Sequence, residues 1–111
     1  MHEVIMKDGI YFVKFSSSND FGDGVVVIQN GIVNGGDYGF TYKGRVQNGE
    51  ITLTASQHDK SVVSVFGNIT EYQINLKATE SNDGYSLVGT SPLAPGVSIN
   101  AKAKFIGDLL T

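Results

Sequence analysis

The chain has 111 residues, which is the length of one domain and excludes a catalytic domain joined to a separate regulatory domain. Eleven Asp and Glu against eight Lys and Arg give a formal net charge of −3, so no basic surface for nucleic acid is expected. Cysteine is absent, which excludes disulfides, a thiol nucleophile and a thiolate metal site. A chain without cysteine fits a reducing compartment.

The composition favours strands over helices. Val, Ile and Thr together number 28, whereas Leu and Ala, the good helix formers among the apolar types, number only 11. Fourteen glycines, most of them between apolar runs, supply turn positions. In chain order, the predicted strands cover residues 10–15, 24–29, 32–34, 40–47, 50–57, 62–66, 72–79, 85–90 and 97–105.

The segments between these runs read as turns. Residues 16–20 are expected to break the first pattern, and Asn30-Gly31 and Asn48-Gly49 predict type I′ hairpin turns. Residues 66–71 or the extreme C-terminus could hold a single helical turn. Strict alternation of apolar and polar residues in 72–79 and 97–105 predicts that each strand has one buried face and one solvent-exposed face.

About eight strands joined by local hairpins predict an all-β antiparallel meander that forms one domain, residues 1–111. Such a meander folds either as a sandwich or as a barrel. We favour an eight-stranded up-and-down β-barrel, because closure removes the sheet edges. The interior is either a solid core of small residues packed against Phe and Tyr, or an apolar cavity. The candidate cavity lining is Ile51, Leu53, Ile74, Leu76, Ile99 and Ala101.

The sequence offers little for catalysis. The two histidines, His2 and His58, lie near a terminus and in a predicted turn, and without cysteine they make a poor metal site. No G-x-S-x-G elbow occurs, and the glycine-rich stretches lack a phosphate-loop ending. We predict no catalytic residues, no metal, no cofactor and no enzyme activity.

Three aromatic residues in or beside glycine-rich loops are candidate interface residues. Phe21, Tyr38 and Phe40 occupy positions where a monomer has little reason to place aromatic side chains. The alternative is that they plug the ends of the barrel.

Several short motifs share one spacing pattern along the chain: residues 6–11 (MKDGIY), Gly22-x-Gly24, Asn30-Gly31, residues 35–37 (GGD), Tyr42-x-Gly44 and residues 103–106 (AKFI). Together they resemble the GrlR family, the negative regulators of type III secretion in attaching-and-effacing enterobacteria, and the resemblance covers about residues 4 to 110. It implies a lipocalin-like eight-stranded barrel with an apolar interior that forms a homodimer. It also implies indirect repression, in which the barrel binds a helix-turn-helix activator and keeps it from DNA.

The chain departs from the family pattern in the loop that would contact the activator. The enterobacterial member carries the acidic run Glu-Asp-Glu-Asp there, whereas this loop reads Gln47-Asn48-Gly49-Glu50, with one carboxylate in place of four. A basic activator surface would lose most of its electrostatic complement.

Two hypotheses follow. The first is a non-enzymatic GrlR-like regulator that acts by protein-protein contact, as a homodimer that sequesters a transcriptional activator of type III secretion. The second is a small carrier that binds a lipid-like apolar molecule inside the barrel, which would require a cavity of about 300 Å³ or more. Charges near the N-terminus, at Glu3, Lys7 and Asp8, do not fit a signal peptide, and no apolar run approaches the length of a membrane span. We therefore expect a cytoplasmic protein with no membrane or direct nucleic-acid partner.

Overall fold

The fold is a closed β-barrel, seen in a computed structural model that describes residues 5–17, 20–62 and 69–111. Each strand pairs antiparallel with the next one along the chain, and β8 pairs with β1 to close the barrel. The described residues contain no helix, and thus none that could cross a membrane. The strands are β1 (Gly9–Ser17), β2 (Asp20–Gln29), β3 (Ile32–Gly36), β4 (Phe40–Gln47), β5 (Glu50–Gln57), β6 (Glu71–Ser81), β7 (Gly84–Thr90) and β8 (Ile99–Gly107).

This architecture confirms the prediction of an all-β, eight-stranded, antiparallel up-and-down barrel, and a lipocalin-like fold is consistent with it. The sandwich alternative is wrong, because the β1–β8 ladder joins the first strand to the last. Closure satisfies the backbone groups that two free sheet edges would expose.

Both predicted Asn-Gly hairpins are confirmed. Asn30 and Gly31 have φ angles of 54° and 75°, and Asn48 and Gly49 have 55° and 74°. Two successive positive φ values define the type I′ turn, whose twist matches that of the strands it joins. Asparagine tolerates this left-handed region better than most side chains, and glycine has no Cβ to oppose it.

Burial alternates along the strands as the sequence pattern predicts. In β6 the buried residues are Tyr72, Ile74, Leu76 and Ala78, and the residues between them are exposed. In β8 the inward side chains begin with Ile99, Ala101 and Ala103. The core is therefore the interior of the barrel, with polar residues covering most of the outside.

Several predicted boundaries need correction. Pairing of β1 with β2 continues to Ser17 opposite Asp20, so the predicted break at 16–20 is much shorter and β2 starts before Gly24. β3 continues to Gly36, since two glycines can still form ladder hydrogen bonds. β8 starts at Ile99 rather than at residue 97, and residues 108–111 form no helical turn. Residues 63–66 of the predicted run 62–66 lie outside the described residues. Of the possible helical turn at 66–71, residues 66–68 lie outside them, residues 69 and 70 are not helical, and Glu71 begins β6.

The two ends of the barrel differ in their connections. At one end, which we call the tight-turn end, the hairpin turns after β2, β4 and β6 are two residues long, and residues 5–8 lead into β1. At the other, the long-loop end, longer segments join β3 to β4, β5 to β6 and β7 to β8.

Candidate functional site

The interior of the barrel holds an apolar cavity of about 60 Å³. The six residues predicted to line a cavity all lie on its wall: Ile51, Leu53, Ile74, Leu76, Ile99 and Ala101. Pockets that bind small molecules start at about 300 Å³. The interior is therefore far too small for a lipid-like ligand in this conformation.

Aromatic side chains reduce this space toward the long-loop end. Phe15 and Tyr42 meet edge to face with their ring centroids 5.9 Å apart. Phe40 and Tyr72 pack in the same way at 5.8 Å. Such contacts add to the hydrophobic burial of the rings. Small and aromatic residues together thus form a nearly solid core, which was one of the two predicted interiors.

Residues 5–8 close the tight-turn end of the barrel. Met6 is buried and its side chain forms part of the cavity wall. The Tyr11 hydroxyl donates a hydrogen bond to the carbonyl oxygen of Lys7 at 2.6 Å, and the Lys7 amide donates to the Tyr85 hydroxyl at 3.0 Å. The Tyr85 hydroxyl in turn donates to the Ile5 carbonyl oxygen at 3.1 Å. Two strands on opposite sides of β8 thereby hold one short segment over the opening.

Side chains of the same segment attach it further. The ammonium group of Lys7 lies 4.4 Å from the ring centroid of Phe105, a cation–π contact. Asp8 accepts a hydrogen bond from the amide of Asn30 at 2.9 Å, which fixes the first hairpin turn to the segment. Four residues of the motif MKDGIY, namely Met6, Lys7, Asp8 and Tyr11, thus take part in closing this end.

Asp37 organises the long-loop end. One of its carboxylate oxygens accepts hydrogen bonds from the amides of Gly39 and Phe40, at 2.8 and 2.7 Å. The other oxygen accepts from the Tyr42 hydroxyl at 2.6 Å. His58 Nε2 donates to the Asp37 carbonyl oxygen at 2.8 Å, which connects the β5–β6 loop to the same turn.

The environment of the buried tyrosines favours their neutral form. Burial raises the pKa of Tyr42 well above its usual range, and its hydrogen bond to Asp37 acts in the same direction. Burial, together with the charge of Asp37, raises the pKa of Tyr72 to about 12. Burial, then the nearby Tyr85, raises the pKa of Tyr11 in the same way. The hydroxyls of Tyr42 and Tyr11 are hydrogen-bond donors, to Asp37 and to the Lys7 carbonyl oxygen respectively.

The ionisable groups of the β5–β6 loop have structural partners. The pKa of Asp59 is lowered by hydrogen bonds from the hydroxyl and amide of Ser61, at 2.7 and 2.9 Å. His58 is exposed and bonded to the Asp37 carbonyl, whereas His2 lies outside the described residues. Within residues 5–17, 20–62 and 69–111, no three His, Asp or Glu side chains come together as a metal site would require.

The predicted partner loop is a compact turn. Gln47 and Glu50 form the last pair of the β4–β5 ladder, and the carbonyl oxygen of the buried Gly49 accepts a hydrogen bond from the Ala78 amide at 2.8 Å. Glu50 lies directly opposite Lys77 in the β5–β6 register. The loop therefore lies close to β6 and presents one carboxylate beside a cation.

The three predicted interface residues have different environments. Tyr38 is 78% exposed, and its role at an interface remains a prediction. Phe40 is only 3% exposed and packs on Tyr72 inside the barrel, so its assignment to an interface is corrected. Its inward position follows from the strand period, which places it on the same face as Tyr42. The side chain of Phe21 lies outside the described residues.

Sequence reasoning overlooked the two groups that close the barrel. Residues 5–8 precede the first strand and carry no periodic signal, and Tyr85 lies far from them in the chain. The sequence around Asp37 could have indicated its role, because Asp in a glycine-containing stretch such as residues 37–40 (DYGF) fits a turn in which the carboxylate accepts hydrogen bonds from backbone amides. Its bond to Tyr42 follows only from the observed turn.

The fold and its ends define a closed antiparallel barrel with a packed interior. Residues 6–57 match the family model described as T3SS negative regulator, GrlR. This match confirms the resemblance to the GrlR family over a little under half of the chain; outside residues 6–57 it remains a prediction. No curated protein matches the chain.

Proposed function

We propose that this chain is a non-enzymatic negative regulator of type III secretion that acts by protein-protein contact from the outside of its barrel. The observation that carries the proposal is the GrlR family match over residues 6–57, which include the whole of the first five strands. The family is described as one of negative regulators. In this proposal the protein works in the cytoplasm as a homodimer of single-domain barrels and holds a transcriptional activator away from DNA.

The packed interior supports action from the surface. A cavity of about 60 Å³ leaves no room for an apolar ligand, which disfavours the carrier alternative. A net charge of −3 also gives no general attraction to nucleic acid, so repression by direct DNA binding is disfavoured.

The loop at 47–50 can be tested separately from the fold. Asn48 and Gly49 carry the positive φ angles of the turn, so they are left unchanged. Glu50→Lys reverses the only charge in the loop. Glu80→Lys, at an exposed position near the end of β6, makes the same change in net charge and serves as the matched control.

The experiment is an affinity pull-down from the native cell, combined with a reporter driven by a type III secretion promoter. We expect the wild-type chain to capture a helix-turn-helix activator and to lower reporter output. Glu50→Lys should weaken capture more than Glu80→Lys if the loop contacts the activator. Unchanged reporter output on deletion and overexpression of the chain would overturn the proposed function.

A further inference from the structure

The outer wall of the barrel carries one concentrated group of cations, formed where β1 meets β8. Lys14 lies directly opposite Lys102, and Lys104 lies opposite Phe12, two residues further along the same ladder. All three lysines are exposed and on the outward face. Three of the eight Lys and Arg residues of an acidic chain thus occupy one small area.

This arrangement has a cost for the folded barrel. Like charges directly opposite each other on paired strands are destabilising. Among the described residues, no carboxylate forms an ion pair with any of the three lysines. Asp23 is opposite Lys14 on the β2 side, and the Lys14 ammonium lies 5.8 Å from the Phe12 ring centroid instead. The positive charge therefore remains available to a partner.

Apolar side chains border these lysines on both sides. Phe12 pairs with Val25, and Val25 is 43% exposed. On the other side Val88 is 53% exposed, beside Asn100 of β8. These two side chains add apolar area at the borders of the lysine group, which a bound partner could cover.

A groove of about 620 Å³ lies at the same place, about ten times the volume of the interior cavity. Its wall combines two cations with one carboxylate, a hydrogen-bonding group and apolar side chains: Lys14, Lys102, Asp23, Asn100, Phe15 and Val88. This volume is in the range of sites that accept a small molecule or a few side chains.

We propose that this lysine surface, formed by Lys14, Lys102 and Lys104 with the adjoining groove, binds an acidic peptide segment of a partner protein. The lysines would pair with carboxylates, and the groove would take an apolar side chain. A second copy docked by two-fold symmetry would bring the same lysines together, which charge repulsion opposes. The inference rests on the proposed function, because it specifies the chemistry of the partner segment that the barrel would bind. It also provides a site of contact with a partner in a chain whose loop at 47–50 lacks an acidic run.

The test measures fluorescence anisotropy of a fluorescein-labelled peptide built of glutamate, serine and phenylalanine, with a lysine-for-glutamate peptide as the control probe. The double variant Lys14→Glu with Lys102→Glu reverses the charge of the surface. Lys43→Glu with Lys60→Glu makes the same net-charge change on β4 and on the β5–β6 loop. Circular dichroism and thermal unfolding confirm that each variant is folded.

We expect the wild-type chain to bind the acidic peptide and not the basic one. Reversal of Lys14 and Lys102 should weaken binding about tenfold or more, whereas the control pair should change it by less than about threefold. Raising NaCl from about 50 to about 300 mM should weaken wild-type binding, because exposed charges are screened. Equal loss in both double variants, or no binding of the acidic peptide, overturns the proposal.

Two further arms separate other occupants and the proposed function. Binding to vesicles containing phosphatidylserine without binding to the peptide would assign the surface to lipid and overturn the peptide proposal. Self-association lost in the Lys14/Lys102 variant would assign it to a second copy. If wild type and the Lys14/Lys102 variant capture the native activator equally, the proposed function stands and the lysine-surface proposal is overturned. If the peptide binds but the chain has no effect on the reporter, the lysine-surface proposal stands and the proposed function is overturned.

Discussion

The two ends of the barrel are held by different contacts. At the tight-turn end, residues 5–8 lie over the opening, with Met6 buried and two tyrosines bonded to the backbone of the segment. At the long-loop end, the β3–β4 turn is held by the carboxylate of Asp37, which accepts three hydrogen bonds within that turn. Several separate contacts hold the segment 5–8, so one substitution there removes only part of its stabilisation. A turn centred on one carboxylate depends on a single residue.

This difference predicts unequal effects for two aspartates, and this is the largest effect expected. Asp37→Ala should lower the free energy of unfolding by about 3 kcal/mol, because it removes three hydrogen bonds and leaves the buried Tyr42 hydroxyl without its acceptor. Asp8→Ala removes one exposed hydrogen bond and should cost less than half as much. Urea unfolding followed by tyrosine fluorescence measures both, and equal losses would show that the ends are closed alike.

The tight-turn end should depend on Met6 rather than on its neighbour. Met6→Ala should lower the free energy of unfolding by about 2 kcal/mol, because it removes a buried side chain and enlarges the cavity. The matched control is Ile5→Ala, since Ile5 is 79% exposed, and its effect should stay within about 0.5 kcal/mol. Thermal unfolding of the two variants decides the point. If Ile5→Ala costs as much as Met6→Ala, the buried thioether is not what closes this end.

A further effect is expected at alkaline pH. The pKa of Tyr72 is raised from 10.0 to about 12 in the folded barrel, so the unfolded chain loses its proton first. The associated stability is present in full below pH 10 and decreases as the pH rises toward 12. Tyr42 and Tyr11 act in the same direction.

Urea midpoints between pH 8 and pH 12 should therefore decrease, and Tyr72→Phe should reduce the slope, because one titrating group is removed. A slope that is the same in Tyr72→Phe and wild type would show that this hydroxyl is not responsible. The same series with Tyr42→Phe and Tyr11→Phe compares the long-loop end with the tight-turn end.

Much of the fold was predictable from local patterns. Alternation in 72–79 identified the inward face of β6, and Asn30-Gly31 and Asn48-Gly49 located two hairpins. Strand boundaries were less predictable where the side chains become polar but the backbone pairing between strands continues. Ser16 and Ser17 carry polar side chains, yet their backbones continue the ladder with β2 because pairing uses only main-chain groups.

The candidate sites were less predictable than the fold. Phe40 lies beside a glycine-rich loop, and this position suggested exposure, whereas the strand period turns it inward. The six cavity-lining residues could be chosen from alternation alone. The size of the cavity could not, because it depends on how rings such as Phe15 and Tyr42 pack across the barrel.

The sequence by itself determined which residues form strands, which face of each strand is apolar and where the tight turns lie, since these depend on neighbours within a few positions. Only the tertiary structure decided that Met6 enters the barrel, that Tyr85 bonds to Lys7 and that Lys14 stands beside Lys102. These contacts join residues from the two ends of the chain. The physical reason is that closure pairs the first strand with the last, and no local pattern encodes which side chains that ladder brings together.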